Sequence, residues 1–142
     1  MRPAIKYAIV LAFIILLAVI LLPGITGGGP APIARCRVEL DDIARALSAF
    51  NNDQGTLPSG DTQSILRVLN GENPQRKVYL NFARKSGRGA YEYIDPWGTP
   101  YQIEVGQHTN YFVRSAGKNR KFGDKDDFAL DNATGSGSQQ TK

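Results

Sequence analysis

The stretch RSAGKNRKFGDKDDF, Arg114 to Phe128, holds the residues of this chain best suited to chemistry. Asp124, Asp126 and Asp127 crowd into four positions, close to Asn119 and among the basic residues Arg114, Lys118, Arg120, Lys121 and Lys125. Carboxylate and amide oxygens at that density suit a hard cation, which takes oxygens from side chains, backbone carbonyls and water. The same composition also suits a solvated, self-neutralising loop in which Asp126 and Asp127 pair with Lys118, Arg120 or Lys125. An EF-hand is excluded, because the position counted from Asp124 that requires glycine is Ala129.

Other chemistry is scarce. His108 is the only histidine and Cys36 the only cysteine, which removes a zinc site and an internal disulfide. No glycine-rich phosphate loop follows a predicted strand and no nucleophile–base pair is indicated, so the chain is not expected to be an enzyme. His108, in the hairpin connection GQHTN, is expected to face solvent, and Cys36 to serve as a small apolar residue at a helix start. The formal charge of +4 includes Arg2, Lys6 and Lys142; residues 35–131 hold fourteen Lys and Arg against thirteen Asp and Glu. A nearly neutral domain gives no electrostatic reason to expect nucleic acid. The basic loop with Arg84, Lys85 and Arg88 is therefore read as a solvated face. NAT at Asn132 matches a glycosylation sequon, a three-residue pattern common by chance.

These residues need elements to position them. Residues 7–22, YAIVLAFIILLAVILL, carry no charge and follow Arg2 and Lys6. Residues 1–25 therefore read as a cytoplasmic flank and a single uncleaved transmembrane anchor, with the rest of the chain outside. Glycines and prolines make residues 26–34 a linker. Cys36, Leu40, Ile43, Leu47 and Phe50 then recur at helical spacing, and NNDQG ends that helix. A second, shorter helix is expected from about Asp61 to Asn70, with Asp61 or Thr62 as cap and Ile65, Leu66 and Leu69 buried. YEYI, YQIEV and YFVRS predict three antiparallel strands around turn chemistry in DPWGTP. The expected domain is residues 35–131, an α+β unit with the helix laid on the sheet and a loop-rich C-terminus, followed by a disordered tail at 132–142.

In DPWGTPY the residues have separable roles. Asp95 before Pro96 initiates a turn, Gly98 can take a positive φ, and Pro100 excludes helix and feeds Tyr101 into a strand. Trp97 is expected to be buried against the first helix.

Three segments carry a resemblance to a known family. ELDDIARALSAFNNDQGTLPS, YIDPWGTPYQI and SAGKNRKFGDKDDF are similar, in that order, to the helix, the Asp-Pro-Trp-Gly-x-Pro-Tyr segment and the C-terminal loop of the G-type major pseudopilin of type II secretion systems. The resemblance covers residues 40–131 and implies a pilin-like fold. It also implies a structural role in the envelope machine, at the bacterial inner membrane with the globular domain periplasmic, and partners among other pseudopilins and secretion-machine proteins. Calcium at the C-terminal loop is implied too. Asn119 stands where the family usually has aspartate, Arg120 where it usually has glycine, Asp126 and Asp127 match its paired acids, and Asp124 adds a further carboxylate. Such subunits carry a leader ending in glycine and a glutamate early in the apolar helix. The run at 7–22 shows neither, which leaves processing and self-assembly open. A tethered, non-polymerising module that binds a periplasmic partner is the alternative.

Overall fold

The computed structural model describes residues 31–82 and 91–133, and the backbone of 136–140. The chain separates into two units, Met1–Ala31 and Pro32–Lys142, and the described helices and strands all belong to the second. The expected anchor at 1–25 and the basic loop with Arg84, Lys85 and Arg88 lie outside the described residues. Among the described residues no helix is long and apolar enough to cross a membrane.

Helix α1 spans Pro32–Gln54. It starts inside the segment expected to be linker, with Pro32 at its first position, where the missing N–H costs no helical bond. Cys36, Leu40, Ile43, Leu47 and Phe50 are buried on one stripe, as their spacing predicts, and Val38 is 56% exposed beside it. Burying each of Leu40, Ile43 and Leu47 completely contributes roughly 1.5–3 kcal/mol. Helix α2 spans Thr62–Leu69 and is capped by Asp61, whose carboxylate accepts from the Ser64 N–H at 2.9 Å. Thr62 has a different role. Its Oγ1 accepts from the Ile103 N–H (3.0 Å) and donates to the Ile103 carbonyl (3.1 Å), joining α2 to the sheet edge.

Strands β1 (Gln102–Val105), β2 (Tyr111–Ser115), β3 (Phe128–Asp131) and β4 (Ser136–Gln140) form one antiparallel sheet in chain order. The register pairs Ile103 with Val113 and Val113 with Leu130, and the alternation puts Tyr111, Val113, Phe128 and Leu130 into the core beneath α1. The Tyr111 hydroxyl, buried against the helix, donates to the Ala44 carbonyl at 3.2 Å.

The sheet differs from the expected three strands at both ends. YEYI is not a strand. Its Ile94 makes a single bridge to Pro100, and a proline that cannot donate does not extend a ladder. The sheet is instead completed by FALD and by SGSQQ, the latter inside the tail expected to be disordered. Once β3 is seated by Phe128 and Leu130, its free edge offers a row of backbone partners, and a further segment can pair there through its own backbone. Asn132 has a structural use as well. Its Oδ1 accepts from the Tyr111 N–H (2.6 Å) and its Nδ2 donates to the Thr109 carbonyl (2.7 Å), so the sequon amide is engaged in holding the hairpin.

Candidate functional site

Asp95 is the pivot of the turn that precedes β1. It is 3% exposed. Its Oδ1 accepts from the N–H groups of Trp97 (3.0 Å) and Thr99 (2.8 Å), and its Oδ2 accepts from the Ser115 hydroxyl (2.6 Å). The turn closes with Gly98 N–H on the Asp95 carbonyl at 3.0 Å, Gly98 standing at φ +95° where a side chain would be strained. Pro96 leads the chain into the turn and Pro100 leads it out. Trp97 is half-buried against the core and stacks on Phe128 of β3 with ring centroids 5.6 Å apart.

From Ser115 the same network runs to the helix. The Ser115 hydroxyl also accepts from the Gly117 N–H (3.1 Å), the first step of the C-terminal loop. Cys36 of α1, fully buried, lies beside Tyr101 and Ser115, and burial pushes its thiol pKa up. The Tyr101 hydroxyl donates to Glu39 Oε2 (2.8 Å), and Arg35 Nε donates to Glu39 Oε1 (2.8 Å). Burial, with Cys36 and Glu39 close by, drives the Tyr101 phenol far above its ordinary range. Glu39 is 8% exposed, and each of its two carboxylate oxygens has a donor, as a buried polar group requires.

The C-terminal loop, residues 116–127, is folded against that network. Gly117 has φ +66°, and a Cβ there would lie 1.9 Å from the Asp126 carbonyl oxygen. Arg120 adopts φ +62°, a left-handed conformation that ordinarily favours glycine. Its guanidinium reaches the Gly98 turn, 3.8 Å from where a Cβ would stand. On the outer sheet face Arg114 donates to Gln102 (2.7 Å) and Glu104 (3.3 Å) and lies over the rings of Phe112 and Phe122. Phe122 thereby fixes the loop's far side. A groove of about 480 Å³ runs between this face and the loop, lined by Phe112, Arg114, Asp124, Lys125 and Asp127.

Of the four expected cation donors, Asn119 and Asp124 meet. Asn119 Nδ2 donates to Asp124 Oδ2 at 2.6 Å, and Asn119 Oδ1 accepts from the Lys121 N–H at 2.8 Å. Asp124 Oδ1 accepts from the Asp126 N–H at 2.9 Å; this bond, and after it the Asn119 amide, holds the Asp124 carboxyl below its usual range. Asp127 is 4% exposed and its Oδ2 accepts from the Gly123 N–H at 2.7 Å. Asp126 enters through its backbone, by the N–H on Asp124 and the carbonyl against Gly117. Among the described residues no group of three or more His, Cys, Asp or Glu is placed to hold a metal ion. The donors are right in kind for calcium, but Asn119 turns its Nδ2 and not its oxygen toward Asp124, so these two do not present a pair of oxygens to one ion as calcium requires. His108 stands exposed in its turn at φ +61°.

A helix crossing a small antiparallel sheet, a buried Asp-Pro-Trp-Gly turn and a C-terminal loop locked to it make a specific arrangement. The sequence model of one family, described as type II secretion system (T2SS), protein G, matches residues 26–132, which take in all three parts. The chain belongs to the type II secretion system protein G family, the major pseudopilin family. No curated protein and no solved structure gave a significant match.

Within this pseudopilin domain the residues that sequence reasoning missed are Glu39, Tyr101 and Ser115. Glu39 had a signal, since Cys36, Glu39 and Ile43 are spaced at three and four and share a helix face. Its salt bridge with Arg35 reads as a surface pair in sequence and lies half inside in the fold. Ser115 had none, because its partner Asp95 is twenty residues away and only the sheet brings the two together.

Proposed function

We propose that this pseudopilin is a structural subunit of a type II secretion machine in the bacterial envelope, and not an enzyme. Residues 1–25 anchor it in the inner membrane with the N-terminus cytoplasmic, and the helix-on-sheet domain stands on the periplasmic side among secretion-machine proteins or other pseudopilins. The observation that carries this reading is the family match over residues 26–132, which spans α1, the Asp95 turn and the C-terminal loop together. The network from Arg35 to Asp95 supports a scaffold role: its buried Glu39 and Asp95 carboxylates are held by internal donors.

The test is in-cell crosslinking of the full-length chain at native expression, with intact-mass analysis. A ladder of self-adducts, or adducts to other secretion components, is expected. A chain joined only to proteins unrelated to secretion would overturn the proposal. A second reading, a tethered module that binds one periplasmic partner without polymerising, is favoured by the glycine- and proline-rich residues 23–32 ahead of α1. In the same experiment that reading predicts a single hetero-adduct of the unshortened chain.

A further inference from the structure

We infer that the C-terminal loop of this chain is closed by an amide–carboxylate lock between Asn119 and Asp124, and keeps its fold without calcium. Only one orientation of the Asn119 amide satisfies both of its neighbours. Its oxygen is held by the Lys121 N–H at 2.8 Å, and that bond leaves its nitrogen to face Asp124 Oδ2 at 2.6 Å. Turning the amide so that its oxygen could ligate a cation beside Asp124 would break both bonds at once. With no cation present, the turned amide would set its oxygen against a carboxylate oxygen, two acceptors with no proton between them. Aspartate at the same position would offer oxygen on both sides and could not donate to Asp124.

The other groups point the same way. The Asp126 N–H bonds Asp124 Oδ1, and the Gly123 N–H bonds Asp127 Oδ2, so each carboxylate already receives a donor from the loop's own backbone. Gly117 lets the Asp126 carbonyl approach too closely for any side chain, which shuts the loop across its base. The Arg120 guanidinium lies over the Gly98 turn, 3.8 Å from where a Cβ would stand, and so packs the loop against that turn. Backbone and amide hydrogen-bond donors stand in for what a bound ion would otherwise contribute at Asp124 and Asp127. These bonds are properties of the loop and hold for either envelope role of the chain.

The experiment is thermal unfolding of the full-length chain in millimolar calcium and again in chelator, for wild type, Asn119→Asp and Asn119→Ala. Wild type is expected to melt at the same midpoint in both. Asn119→Asp places two carboxylates face to face, so it should melt lower than wild type in chelator and recover by several degrees in calcium. Asn119→Ala removes the lock and should melt lower by the same amount in both conditions. A calcium-dependent rise in the wild-type midpoint would overturn the inference. So would an Asn119→Ala midpoint equal to that of wild type in chelator, since the lock would then contribute nothing.

Discussion

Replacing Gly117 with alanine should be the most damaging single-methyl change in the C-terminal loop. The added Cβ would lie 1.9 Å from the Asp126 carbonyl oxygen and 2.6 Å from its carbon, and both are backbone atoms that cannot swing aside. Three effects combine. A non-glycine residue at φ +66° is strained by about 1–2 kcal/mol, and the loss of glycine's unfolded-state freedom returns about 0.4–1 kcal/mol. Forcing an extra methyl into a closed contact adds roughly 1–3 kcal/mol. The net loss is about 1–4.5 kcal/mol, or roughly 5–20 °C in melting temperature for a domain near a hundred residues. Gly123 is the internal control. It too has a positive φ, +97°, but nothing lies within 4 Å of its Cβ position, so alanine there should cost only about 0.5–1.5 kcal/mol. Urea unfolding followed by Trp97, the only tryptophan, reads both variants. If the two lose the same stability, Gly117 is not in the close approach described, and the account of how the loop closes fails with it.

Ser115→Ala removes the hydroxyl from Asp95 Oδ2 inside the core and should destabilise the domain by about 1–3 kcal/mol; a urea midpoint unmoved from wild type would mean that water reaches the carboxylate. Tyr101→Phe deprives buried Glu39 of one donor and should cost a comparable amount, and its effect should be non-additive with that of Arg35→Ala, because the two donors hold the two oxygens of one carboxylate. Tyr93 is held up to about 12 by burial and then by the Glu39 charge, against about 10 in an unfolded chain. Its neutral form therefore supports the fold fully below pH ~10, and that support is lost as pH rises through the folded value. Ultraviolet titration of the phenols should show Tyr93 ionising after the exposed tyrosines, and ionisation near 10 would contradict its burial. Cys36, buried and raised, should resist maleimide in the native protein and react on unfolding; rapid native labelling would show that the helix start opens.

How much of the fold is legible in the sequence depends on distance along the chain. Asp95, Pro96, Gly98 and Pro100 read as a turn because their bonds close within five residues. The α1 stripe is legible because helical periodicity is local, and so is the Asp61 cap. For Trp97 the sequence points to burial but not to its ring partner, because stacking on Phe128 depends on where β3 runs. Among the site residues, Asn119 and Asp124 read as oxygen donors for a shared ion, and they do lie together. Their relation as donor and acceptor depends on the rotation of one amide, which the Lys121 N–H decides.

What the sequence by itself determined is the local grammar of this pseudopilin: an amphipathic helix, a proline-bounded turn and an acid-rich loop, in family order, each encoded by residues within a few positions of one another. The tertiary structure alone decided that SGSQQ becomes a strand, that Glu39 goes inside, and that Ser115 and Asp95 lock the turn to the loop. Those outcomes depend on partners brought together by the sheet from twenty or more residues apart, as in the 2.6 Å bond from Ser115 to Asp95 and the 2.8 Å bond from Tyr101 to Glu39. Periodicity carries no information about such pairs, because a buried polar group is stabilised by whichever donor the completed fold sets beside it.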